Sequence, residues 1–201
     1  VADSFKIIGI TLPDLMDNEA WLICHALDCG IDRIHLRKPL ATASQMEDII
    51  SQIPQRLHAR LSVHSHHQLV ERFPDLRIHL NARNPLPPVG LLTPFSRSCH
   101  SFEELTAYPR AEYSFLSPIF DSISKSGYSS AFTAEALERA SRCRIINSSV
   151  IALGGVVPEY IPRLIELGFG GAAMLGCLWA DLNLETIKKR IDAAIHYSQK
   201  R

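Results

Sequence analysis

Apolar residues along this chain recur in two alternating rhythms. Short runs of continuous or period-two apolar character stand at FKIIGIT (5–11), RIHLR (33–37), RLSVHS (60–65), RIHLN (77–81), FSRSCH (95–100), YSFLSPIF (113–120), VIALGGV (150–156) and GGAAMLG (170–176), and they read as eight strands. Between them, segments 17–30, 43–54, 101–108, 133–142, 158–168 and 184–200 carry apolar residues at helical spacing. Thr42 with Gln45 and Ser101 with Glu104 are spaced as capping boxes, Pro158 suits a first helical turn, and Gly30 and Gly168 suit C-terminal caps.

Strands that alternate with helices predict an α/β protein with a parallel sheet, because a parallel pair needs a crossover connection. Eight such units predict a single compact (β/α)8 TIM barrel over residues 1–201, with an open doubly wound sheet as the competing arrangement. The third and fourth α units are expected to be irregular: HHQLVERF (66–73) is about two turns long and ARNPLPPVG (82–90) is rich in proline.

In a barrel, alternate strand residues point inward and the C-terminal mouth carries the chemistry. The less apolar face of each strand then places His35 and Arg37, Ser62 and His64, His79 and Asn81, and Ser96, Ser98 and His100 inside. Ile34, Leu36, Ile78 and Leu80 would pack under helices. His35 and His79, deeper in their strands, read as hydrogen-bonded barrel histidines. His100, at a strand exit, reads as an acid/base, since imidazole exchanges protons near neutrality.

Arg37 needs an anion, either an internal one such as Glu47 or Asp48 or a substrate group. Lys125 sits in a serine- and glycine-rich loop (121–130) suited to a lid. Gly154 and Gly155 end the seventh strand and Gly176 the eighth, where barrels often hold phosphate with backbone N–H groups. Close packing or a tight turn is the alternative reading of the glycines. His64, His66 and His67 lack the i, i+4 spacing of a helical zinc motif, and carboxylates are scarce at the strand ends, so no histidine metal site is expected.

Twenty-one basic and twenty-one acidic side chains balance, which removes the global field that would gather nucleic acid or an anionic membrane. No apolar run reaches the roughly 20 residues of a membrane helix. Five cysteines without a CxxC pair read as reduced core thiols of a cytoplasmic protein. A homodimer is left open as the assembly.

These residues resemble the thiamine-phosphate synthase and thiazole tautomerase family of small barrels. The likeness covers almost the whole chain and rests on HLRKP after strand two, SCHSFEEL at strand five, LSPIFDSISKSGY at strand six, IALGGV at strand seven and ELGFGGAAMLG at strand eight. The resemblance implies a small phosphorylated heterocycle, thiazole phosphate, as ligand. It implies His100 as the acid/base and a substrate pocket of Arg37, His64, Ser98, Ser122, Ser124, Lys125, Gly154, Gly155 and Gly176.

Synthases of the family hold magnesium with two aspartates, in an Asn-Asp motif ending strand three and a Gly-Gln-x-Asp motif after strand four. Here those motifs read His64-Ser65 and Asn81-Ala82-Arg83-Asn84, so both acids are missing and Ser65 and Asn84 occupy the metal positions. The synthase pattern Gln-Leu-Arg-x-Lys reads His35-Leu36-Arg37-Lys38-Pro39, which moves the lysine to the opposite face. The balance resembles the tautomerase branch, working without cofactor or metal. The alternatives are a synthase with a rebuilt diphosphate site, for which Mg2+ would be required, and a non-catalytic binder of phosphorylated ligands.

Overall fold

The computed structural model describes residues 4–90, 93–107, 111–120 and 131–199. Eight parallel strands close into a barrel in the order β1 to β8. They are β1 (Lys6–Ile10), β2 (Arg33–Leu36), β3 (Leu61–Val63), β4 (Arg77–Leu80), β5 (Phe95–Cys99), β6 (Tyr113–Leu116), β7 (Val150–Leu153) and β8 (Gly171–Met174). Closure comes from β1 pairing with β8, Ile8 opposite Ala173. The open-sheet alternative is therefore excluded.

Helices α1 (Glu19–Asp28), α2 (Ala43–Ser51), α3 (Phe102–Ala107), α4 (Ala134–Arg142), α5 (Ile161–Glu166) and α6 (Leu184–Gln199) surround the barrel. As the sequence predicts, β3 is followed only by a 3-10 turn, His67–Glu71, and no helix separates β4 from β5 among the described residues. Leu86, Pro87 and Pro88 fall in that connection, where proline removes the donors a helix requires.

Local chemistry sets the helix ends. Thr42 caps α2 with both bonds of the predicted box, Thr42 Oγ1 accepting from Gln45 N–H and Gln45 Oε1 accepting from Thr42 N–H. The second predicted box is only half formed. Ser101 Oγ accepts from Glu104 N–H, but the Glu104 carboxylate reaches back one residue further, to the amide of His100. Gly30 ends α1 with φ of +110°, which lets the Ile31 and Gly30 amides turn back to the carbonyls of Ala26 and Leu27.

The strand faces sort as the alternation requires. Ile34, Leu36, Ile78 and Leu80 lie buried in the shell between barrel and helices. Inside the barrel the core is split by chemistry. Ile8, Ile10, Tyr113, Phe115, Ile151 and Ala173, from β1, β6, β7 and β8, form one apolar cluster. The facing half, from β2 to β5, is lined with histidine and serine: His35, Ser62, His79 and Ser96 are all buried. Among the described residues no helix is long and apolar enough to cross a membrane.

Candidate active site

Buried imidazoles need partners, and those of the polar half of the barrel supply each other. His35 Nδ1 lies 2.9 Å from His64 Nε2, and His35 Nε2 lies 2.6 Å from the Tyr113 hydroxyl. His79 sits between two serines, with Nδ1 2.8 Å from Ser96 Oγ and Nε2 2.9 Å from Ser98 Oγ. Burial is the main reason that all three rings stay neutral. It holds His35 and His79 well below the ordinary imidazole pKa, and it brings His64 down to about 3, with the Arg37 and His67 charges adding to the effect.

This arrangement bears out the reading of His35 and His79 as hydrogen-bonded barrel histidines. It also joins His64 and Ser98, predicted ligand contacts, to that same network. The histidines nevertheless gather in a way their spacing along the chain does not suggest. His66 and His67 turn away, bonding the carbonyls of Ala41 and His79, while His35, His64 and His79 converge from three neighbouring strands.

His100 stands exposed just past β5. Its Nδ1 is 3.1 Å from the carbonyl oxygen of Ser117, at the end of β6. A carbonyl only accepts, so the tautomer protonated at Nδ1 bonds Ser117 O and leaves a lone pair at Nε2, while the Ser117 hydroxyl, 3.3 Å from Nδ1, can donate to the other tautomer. Its backbone is fixed as well, through the 2.6 Å bond from its amide to Glu104 Oε2. Neither Ser117 nor Glu104 stands out as a partner in the sequence, because both contacts depend on where β5 and β6 end.

Arg37 follows directly on β2, its amide held by Thr11 Oγ1 at 2.9 Å. The proposed internal partner Glu47 is paired instead with Arg72. Arg37 forms no ion pair with any described residue. Lys38 has the opposite fate. It is buried on the far face, where its Nζ donates to the carbonyls of Leu12 and Asp14 and pairs with the buried Glu19. Desolvation lowers the Lys38 pKa and raises that of Glu19, with their mutual attraction opposing both shifts. This lysine braces the loop after β1 and is not available to a ligand.

Gly154 and Gly155 follow β7 with φ of +94° and +64°. A Cβ on Gly154 would come within 2.8 Å of Pro118 Cα, so close packing also requires glycine there. Gly176 follows β8, and Cys177 Sγ donates to Val156 O across 3.4 Å, tying the two glycine-bearing loops together. Among the described residues, no backbone bond engages the amides of Gly154, Gly155 or Gly176. Ser122, Ser124, Lys125 and the expected lid lie outside the described residues.

Beside the mouth, between the loops after β3 and β4, a groove of about 550 Å³ is lined by Ser65, His66, Gln68 and Asn84. The Asn81 and Asn84 side-chain amides both donate to the carbonyl of His64, at 2.8 and 3.1 Å. Ser65 Oγ is buried with no described partner. Magnesium requires hard, usually anionic oxygen ligands. Here the two relevant positions offer a neutral hydroxyl and an amide, and the one clustered set of candidate ligands among the described residues contains no carboxylate. The residues present do not fit a magnesium–diphosphate site of the kind the sequence resemblance implies.

Comparison with known proteins agrees with this architecture. A sequence profile described as thiamine monophosphate synthase matches residues 8–178. A thiamine-phosphate synthase from Photorhabdus laumondii is 27% identical over 179 residues, covering 82% of this chain and 80% of that protein. A crystal structure of a thiamine phosphate pyrophosphorylase from Bacteroides thetaiotaomicron superposes with a TM-score of 0.87 at 35% identity, covering 96% of this chain and 98% of the other. A thiamine phosphate pyrophosphorylase from Pyrococcus furiosus shares the fold at 17% identity, with a TM-score of 0.78 and coverage of 98% and 97%. The profile runs from within β1 to beyond the end of β8, and the Bacteroides barrel matches this one over nearly its full length; the chain belongs to the thiamine monophosphate synthase family.

Proposed function

We propose that this family member is a metal-independent thiazole tautomerase, which binds a thiazole phosphate and moves a ring proton. The observation that supports it best is the pairing of two features. An imidazole base is oriented at the mouth by Ser117, and the magnesium positions hold only the neutral side chains of Ser65 and Asn84.

In this reading the lone pair at His100 Nε2 removes a proton from the bound heterocycle and the resulting imidazolium returns it at another ring atom. Base and acid are one residue, and no group leaves. A positioned imidazole contributes a factor on the order of 10²–10⁴. The phosphate lies against the amides of Gly154, Gly155 and Gly176, and Arg37 offsets remaining negative charge, with Ser98 and His64 on the barrel wall. Ser122, Ser124 and Lys125 would complete the pocket from the following loop.

The test is turnover of thiazole phosphate by the wild type and by His100→Asn. Loss of proton transfer with binding retained in calorimetry is the expected result; unchanged turnover would sink the assignment. The names of the Photorhabdus and Bacteroides relatives favour a second reading, a synthase joining an aminopyrimidine diphosphate to the thiazole phosphate. Product formed from both substrates at an enzymic rate, and stopped by a chelator, would replace the first reading with the second. Binding of thiazole phosphate without conversion in either assay would leave a non-catalytic binder.

A further inference from the structure

Three imidazoles from three consecutive strands meet inside the barrel. His35 on β2, His64 just past β3 and His79 on β4 each offer a ring nitrogen, and these atoms all lie within 4.8 Å of one another. The closest pair, His35 Nδ1 and His64 Nε2, is 2.9 Å apart, and the rings of His64 and His79 stack at 4.1 Å between centroids. Phe115 closes the other side, 4.7 Å from the His35 ring and 4.9 Å from that of His79.

We propose that His35, His64 and His79 bind one transition-metal ion of the zinc class, three protein nitrogens leaving a fourth position for water. Zinc–nitrogen bonds of 2.0–2.1 Å place two nitrogens about 3.3 Å apart on a tetrahedral ion. The closest pair must open by a few tenths of an ångström, and the widest must close by at most about 1.5 Å, which side-chain rotation supplies. Imidazole suits zinc, copper, nickel and cobalt rather than magnesium or calcium, so this site is chemically distinct from the magnesium site that Ser65 and Asn84 fail to make.

The surroundings are those a histidine metal site requires, since ligating rings are held by hydrogen bonds to the other nitrogen. Tyr113 Oη sits 2.6 Å from His35 Nε2, and serine hydroxyls flank both nitrogens of His79, so one remains bonded whichever nitrogen binds the ion. Neutral imidazoles need lose no proton: a hydrogen shared by His35 and His64 moves to an outward nitrogen as the tautomer changes. The ion would place two positive charges in a barrel half that already holds Arg33, which reaches Ser62 Oγ and the face of the Tyr113 ring, beside the neutral histidines and serines. His100 takes no part, so this inference goes beyond the proposed activity, although His64 is common to both sites.

The full chain, purified without a polyhistidine tag and stripped with chelator, would be titrated with Co2+ and then Zn2+. Uptake of one Co2+ per chain with the intense visible bands of a tetrahedral site, displaced by Zn2+, is expected. His79→Gln should weaken Co2+ binding at least about 100-fold, more than loss of an outer-shell partner does. Tyr113→Phe, which leaves all three ligands in place, should weaken it about 10- to 100-fold and remains informative if the histidine variant does not fold. A folded wild type that takes up no Co2+ would show the trio to be a closed hydrogen-bond network. Binding equally tight in wild type and Tyr113→Phe would place the ion elsewhere. Either result overturns the proposal.

Discussion

The carboxylate of Glu104 accepts a hydrogen bond from the backbone amide of His100 at 2.6 Å, bypassing the amide of Ser101 that a standard capping box would engage. The first turn of α3 therefore holds the strand exit on which the candidate base stands, while Ser117 holds its ring. A hydrogen bond to a charged group contributes about 1.5–3 kcal/mol. Glu104→Ala should lower kcat for the proposed tautomerisation roughly tenfold with KM little changed, an effect of positioning and not of binding. Glu104→Gln, which keeps an acceptor, should recover most of the loss in the same steady-state assay.

Lys38 and Glu19 form an ion pair whose side chains are 0% and 1% exposed. Removing one partner of such a pair leaves an uncompensated buried charge, at a cost of about 3–5 kcal/mol. Glu19→Gln should therefore lower unfolding stability by about 3 kcal/mol in urea titrations. The double replacement Glu19→Leu with Lys38→Met removes both charges together, and it should be closer to wild type than the single variant.

Burial pushes the Cys177 thiol up to about 11, while its Sγ–H bonds Val156 O. Between the ordinary thiol pKa and 11 the folded state holds a proton that the unfolded state has lost. This contribution is complete below the ordinary pKa and disappears as pH rises through 11. Thermal melts between pH 8 and 11 should show a falling Tm, and Cys177→Ala should flatten part of that slope. At pH 8 iodoacetamide should modify the exposed Cys143 well before Cys177, read by peptide mass spectrometry.

Gly154 combines a φ of +94° with Pro118 only 2.8 Å from where a Cβ would stand. Gly154→Ala should destabilise the fold by about 3 kcal/mol in urea unfolding, from strained backbone and overlap together. A loss of phosphate affinity in that variant would mix packing with binding. Gly155→Ala, compared at matched folded fraction, reads ligand approach more directly.

Much of the barrel is written in local pattern. Period-two alternation assigns Ile34, Leu36, Ile78 and Leu80 to one face and His35, His64 and His79 to the other, because successive side chains on a strand point to opposite sides. Thr42 with Gln45 marks the start of α2 for an equally local reason, and the prolines after β4 exclude a helix there. The glycines after β7 and β8 are visible as strand exits, though the alphabet alone does not say that Gly154 must clear Pro118.

Closure of the sheet decided the rest. Whether Tyr113 reaches His35, or Glu104 reaches past Ser101 to His100, depends on how far each strand is displaced along its neighbour and on where each ends. Those displacements are set by the barrel as a whole. The pattern along the chain determined which side chains face inward; only the register of eight strands determined that three imidazoles, 29 and 15 residues apart along the chain, would share one small volume.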